Sequence, residues 1–158
     1  MISFHPHSRE DLTQRVKWLN NKEAIKYAWD AKEPATMESE TKWFDEYENN
    51  PGKKFFTIFS DDLPIGFLGL RKIDFDHGIG NVFIMIGEDD YRGKGIGLIS
   101  MKWLIDYAFK VLNLDFLDLE VDKRNLPAIK LYESLNFKIT GEDARDLKML
   151  LIRNDANQ

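Results

Sequence analysis

The chain has no cysteine at all. That removes disulfides, thiolate metal sites and a cysteine nucleophile together, and it is compatible with a reducing compartment. No apolar run approaches the length needed to cross a bilayer, and the first residues lack a basic segment followed by an apolar stretch, so a cytoplasmic location with no membrane partner is expected. No group of His, Asp or Glu has metal-ligand spacing, so no metal is expected, and no motif supports Ser-His-Asp chemistry. An excess of positive charge is also missing. The formal net charge is -5, which leaves no sequence-wide footprint for nucleic acid.

What is present is a globular composition: 158 residues, 43% apolar and 13% aromatic, enough for one domain with a real core, taken as residues 1–158. Residues 2–5 read as a first strand. Ser8 with an acid three residues on starts a helix carrying Leu12, Val16 and Leu19, and Asn20-Asn21 stops it. A short helix and an aromatic loop are expected between Lys22 and Ala35. Thr36 caps a further helix, with Glu38 and Glu40 in its first turn and Trp43, Phe44 and Tyr47 on one face. Strands follow at 54–60, 65–73 and 79–86, then a helix at 96–111, a strand at 116–121, a helix at 126–135, and strands at 137–140 and 147–152. The order β-α-α-β-β-β-α-β-α-β-β is a mixed α/β (α+β) layer rather than a regular βαβ series. An edge strand at 147–152 makes a homodimer a candidate assembly.

The stretch Asp90-Tyr91-Arg92-Gly93-Lys94-Gly95-Ile96-Gly97 lies between an apolar strand and an amphipathic helix. Such a turn aims backbone N–H groups and the positive end of a helix dipole at one spot, which suits a phosphate or pyrophosphate. It is not a P-loop: five residues, not four, separate Gly87 from Gly93, and Gly95 follows Lys94 where Ser or Thr would hold Mg²⁺. Nor is it a dinucleotide fingerprint, because Gly93, Gly95 and Gly97 are evenly spaced and too little chain follows for a Rossmann half.

The remaining pattern, Arg92-x-x-Gly95-x-Gly97, resembles the acyl-CoA pyrophosphate loop of the GNAT superfamily of N-acyltransferases. A second stretch, Asn125 to Phe137, suits a helix start, with Asn125 as N-cap and Pro127 where a missing N–H costs nothing. It also resembles that family's second signature, asparagine and a small residue followed by Leu-Tyr-Glu-x-x-Gly-Phe. The likeness covers about residues 54 to 152. One departure is Asn136, where the family usually has glycine; if φ is positive there, asparagine is the next most tolerant residue.

The resemblance implies a GNAT fold: a mixed sheet of about six to seven strands, four helices, and parallel strands 4 and 5 splayed around the pantetheine of acetyl-CoA. It implies that the amides of Arg92, Gly93, Lys94, Gly95, Ile96 and Gly97 hold the pyrophosphate, with charge from Arg92 and Lys94. Main-chain groups of Ile84, Met85 and Ile86 would meet the pantetheine and thioester, Asn125 would touch the cofactor, and Tyr132 would be the acid at the departing sulfur. Glu88 is the candidate base, needing a raised pKa or a water relay, with Glu120 and His77 as lesser candidates. Tyr27, Trp29 and Trp43 would line the acceptor site. The implied activity is direct acetyl transfer from acetyl-CoA to the primary amine of a small molecule in a ternary complex. Acetylation of a protein N-terminus and non-catalytic acyl-CoA binding are the alternatives.

Overall fold

The computed structural model describes residues 1–28 and 33–156. Its seven strands form one sheet in the order β1-β2-β3-β4-β5-β7-β6. They are β1 (Ile2–Pro6), β2 (Lys54–Ser60), β3 (Leu63–Asp74), β4 (Ile79–Ile86), β5 (Phe116–Asp122), β6 (Lys138–Glu142) and β7 (Asp146–Ile152). The helices are α1 (Leu12–Leu19), α2 (Met37–Glu48), α3 (Ile96–Asp106) and α4 (Leu126–Ser134). Every neighbouring pair is antiparallel except β4 and β5.

That parallel pair is short. It joins only Ile79, Gly80 and Asn81 to Phe116, Leu117 and Asp118. Beyond Asn81, β4 continues in register with β3 while β5 continues with β7, so the sheet forks. The expected splay is therefore present.

Strand alternation sends side chains to two faces. On one, Leu68 and Leu70 of β3, Val82 of β4 and Leu117, Leu119 and Val121 of β5 pack with Met101, Leu104 and Ile105 of α3 and Ile129 and Tyr132 of α4. On the other, Phe67 of β3 and Met85 of β4 pack under Trp18 of α1. Helices α1 and α2 thus cover β2 to β4, opposite α3 and α4.

Local signals explain the boundaries. The Asp11 carboxylate accepts from Ser8 N–H at 2.8 Å, and Thr36 Oγ1 accepts from Ser39 N–H at 3.0 Å. A 3₁₀ turn (Arg9–Asp11) intervenes between Ser8 and α1. Residues 22–28 form turns rather than the expected short helix. The expected helix 96–111 is α-helical to Asp106 and then widens into a π turn (Tyr107–Val111), where Leu112 N–H reaches Tyr107 C=O at 3.1 Å. Asn113, at φ 57°, ends it.

The last hairpin corrects the expectation of an edge at 147–152. β7 lies between β5 and β6, with Met149 and Leu151 fully buried, and the outer strand is β6. Met149 and Leu151 need the core that α3 and α4 cover, whereas β6 has no residue that is fully enclosed. Among the described residues no helix is long and apolar enough to cross a membrane.

Candidate active site

The fork and the loop that follows β4 make one continuous feature. The chain leaves Ile86, passes a 3₁₀ turn (Asp89–Tyr91), and enters α3 through Gly93 at φ 72° and Gly95 at φ 79°. Only glycine adopts these angles at little cost, and a Cβ at either position would meet no protein atom within 4 Å. The N–H groups of residues 93 to 98 have no acceptor among the described residues, and the first helical bond runs from Ile99 N–H to Gly95 C=O. Six consecutive donors at a helix N-terminus facing open space fit a diphosphate.

Arg92 does not extend toward that space. Its Nε donates to Ile86 C=O at 3.0 Å, Nη2 to Gly87 C=O at 3.2 Å, and Nη1 to Asp89 at 2.5 Å. Its N–H is used as well, donating to Asp89 C=O. The guanidinium therefore clamps the end of β4 rather than reaching the open space as expected, and Lys94 is the exposed cation of the loop.

Past Asn81, Ile84, Met85 and Ile86 have no β5 partner for their main chain. Ile84 and Ile86 turn toward the α3 layer, and Met85 toward Trp18. Asn125 is the N-cap of α4, its Oδ1 accepting from Ala128 N–H at 3.4 Å, and Asn136 has φ 74°. Tyr132 is 8% exposed, its ring edge-on to Phe137 at 5.8 Å, with no hydrogen bond to its hydroxyl among the described residues. Burial pushes the phenol up to about 12.

Glu88 is not a free carboxylate. Both its oxygens receive Lys17 Nζ at 3.0 Å, and Oε2 receives Trp18 Nε1 at 2.8 Å. Partial burial raises its pKa, but Lys17 and Trp18 outweigh this and hold it below the usual glutamate value. The raised pKa required of an unaided base is not there. His77 is 79% exposed and tied to Asp74 at 2.8 Å.

On the open face over the fork, Asp118 and Glu120 share one amide: Asn81 Nδ2 donates to Asp118 at 3.0 Å and to Glu120 at 2.9 Å, while Arg71 Nε donates to Asn81 Oδ1 at 2.9 Å. Asp118 is shifted upward, by burial first and by Glu120. Period-two alternation on β5 could have revealed that 118 and 120 share a face.

Two adjoining cavities open on this side and meet at Arg71. One, of about 400 Å³, spans the fork between Tyr27, Lys72, Glu120 and Asp146. The other, of about 430 Å³, lies between α1, α2 and β2 to β4, and Trp43 lines it with Phe55, Phe67 and Phe83. Tyr27 and Trp43 are thus placed on separate cavities, and Trp29 falls outside the described residues. Sequence reasoning missed Arg15 and Glu40, which meet at 2.8 Å in the second cavity. Their signal was present: charged residues at helical spacing inside the apolar stripes of Leu12–Trp18 and Trp43–Phe44.

Known proteins fit this geometry. A family model described as an acetyltransferase (GNAT) domain matches residues 2–138. Spermidine N(1)-acetyltransferase of Escherichia coli K12 is 31% identical over 141 residues, 89% of this chain and 75% of that one. Acetyltransferase PseH of Campylobacter jejuni is 26% identical over 144 residues, covering 89% and 85%. In three dimensions, spermidine N-acetyltransferase of Vibrio cholerae, solved with CoA and spermine, superposes with a TM-score of 0.91 at 20% identity over 99% of this chain and 98% of that one. A dodecameric structure of the Vibrio cholerae enzyme superposes at 0.82 and 20% identity, covering 97% and 94%. At such identities the superpositions speak for the fold, while the family model and the Escherichia coli sequence carry the assignment: this chain belongs to the GNAT family of N-acetyltransferases, whose acetyl donor is acetyl-CoA.

Proposed function

We propose that the protein transfers an acetyl group from acetyl-CoA to the primary amine of a small molecule, directly, within a ternary complex. The observation that carries this is the sheet fork leading from six unclaimed amides at the start of α3 to the cavity over Glu120. In this reading residues 93 to 97 hold the pyrophosphate with Lys94, the main chain of 84–86 orients the thioester, and Asn125 borders the cofactor. Tyr27 and Trp43 form the acceptor side.

The chemistry follows from proton affinities. The amine nitrogen attacks the acyl carbon, the C–S bond breaks, and the nitrogen sheds its proton to solvent. A phenol at about 12 is a weaker acid than an ordinary thiol at about 8.5, so handing its proton to the thiolate is uphill by roughly 5 kcal/mol. Tyr132 therefore serves by donating a hydrogen bond to the developing sulfur anion. Glu88 enters as the tie between α1 and the end of β4, and as a proton carrier only through water. Asp118 and Glu120 are the carboxylates nearest the fork.

A second reading within this class takes a polyamine as acceptor, favoured by the 31% identity to the Escherichia coli spermidine enzyme. Self-association belongs to the same proposal, with β6 offering an outer edge. An amine panel monitored by free CoA release tests the activity. Tyr132→Phe should lower kcat about 100-fold with CoA affinity retained. Undiminished kcat would remove Tyr132 from the chemistry, and absence of CoA binding to the folded wild type would end the proposal.

A further inference from the structure

The cavity between α1, α2 and β2 to β4 has the wrong charge for a polyamine. Its described lining carries Arg15, Lys53 and Arg71 against Glu33 and Glu40, in a protein whose overall charge is -5. Lys53 and Arg71 form no ion pair among the described residues. Arg71 instead gives its Nε to the neutral Asn81 side chain and lies 4.9 Å over the Phe83 ring. Lys53 stands 5.7 Å from the Trp43 ring centroid. The Glu40 carboxylate is already taken by Arg15 Nε at 2.8 Å and by Ser39 Oγ at 2.9 Å, so it has little left to offer a second cation.

Arg15 is the telling residue. It is 6% exposed, its guanidinium lies 3.6 Å over the Trp43 ring, and its Nη1 is buried with no hydrogen-bond partner among the described residues. Buried donors in folded proteins are almost always satisfied, and an orphan on a charged group costs more than on a neutral one. Arg15 lines this cavity with only Nε committed to Glu40, and its Nη2 makes no hydrogen bond among the described residues, so the guanidinium can receive a second carboxylate through charge-assisted hydrogen bonds. The aromatic walls, Trp43, Phe55, Phe67 and Phe83, suit a short apolar spacer, and the volume is that of a small-molecule site. Arg71 joins this cavity to the one over the fork, so an amine at Glu120 and an anion at Arg15 can belong to one molecule.

We infer that the acceptor carries a carboxylate as well as its amine, the amine lying over the fork and the carboxylate against Arg15 and Lys53, so that the substrate class is an amino acid rather than a polyamine. This rests on the proposed acetyltransferase activity. It is tested with ω-amino acids from β-alanine to 6-aminohexanoate, each assayed against the alkylamine lacking the carboxylate, and with spermidine, by CoA release. The amino acids should exceed their matched amines at least ten-fold in kcat/KM at one or more chain lengths. Removing Arg15 alone would strand Glu40 as a buried uncompensated charge. The discriminating variant is therefore Arg15→Gln with Glu40→Gln, alongside Lys53→Met on its own. In the double variant the preference should fall to within about two-fold of unity, and in Lys53→Met it should drop several-fold. Spermidine or the alkylamines matching every amino acid would overturn the inference while leaving the enzyme an acetyltransferase, as would a preference that survives the double variant. Failure of the folded protein to bind CoA would overturn both.

Discussion

Gly95 stands in open space, so its role is a matter of backbone angle and not of room. At φ 79° it turns the amides of the loop toward one point, and nothing in the protein would obstruct a Cβ. Gly95→Ala should therefore cost only about 1–2 kcal/mol in stability from left-handed strain. CoA affinity should fall at least ten-fold by calorimetry as the donors rotate away, and a variant binding CoA normally would separate the loop from the cofactor. Glu88 allows an equally sharp test. Since Lys17 and Trp18 hold it ionised, Glu88→Gln should leave the shape of the kcat/KM profile between pH 6 and 9 unchanged, with any rate loss uniform across that range. Loss of an ionising limb in the variant would restore it as the base. At this scale the main chain was legible in the sequence and the charges were not. Glycine at 93 and 95 and asparagine at 136 announce positive φ, because few residues adopt it. That the Arg92 side chain folds onto the Ile86 and Gly87 carbonyls depends on where two carbonyls lie in space, which spacing does not encode.

Between elements, the join of β1, α1 and β2 is made by a polar cluster inside an apolar wall. His7 Nδ1 and Thr57 Oγ1 are 2.7 Å apart, Thr57 Oγ1 donates to Asp11 at 2.9 Å, and the His7 ring lies against Trp43, Phe44 and Phe67. Burial, then the neighbouring Arg15, lowers the imidazole to about 4, with Asp11 opposing. The native state thus keeps His7 neutral where an unfolded chain would protonate it. Stability from this group is complete above about 6.5 and declines as pH falls toward about 4, by up to about 3 kcal/mol. Urea titrations across that window should show the decline, and His7→Gln should flatten it; an equally steep curve in the variant would assign it to other groups. Apart from the short helix expected after Lys22, which is a run of turns, helix and strand identities were readable from periodicity and caps, since Thr36 and Asn125 cap as their types dictate. The position of β7 was not. A hairpin's sequence does not say which of its strands joins the sheet, and here burial of Met149 and Leu151 decides it.

Across the whole molecule, the sheet separates two tasks. The α3 and α4 face carries the loop and Tyr132, whose motifs sit in contiguous sequence and were therefore visible. The opposite face gathers Arg15, Glu40, Lys53, Arg71 and Phe83 from α1, α2, the loop before β2, and strands β3 and β4, so no local pattern betrays it. On the proposed ternary-complex reading, the fork is the passage between them and would govern the kinetics. The strands part after Asn81, so on the proposed reading nucleotide and acceptor would enter from opposite sides without blocking each other. Initial-velocity plots should give intersecting lines, and spent CoA should occupy the enzyme together with fresh amine as an abortive pair. Parallel lines would mean that the two ligands take turns, and that the opening in the sheet is not a thoroughfare.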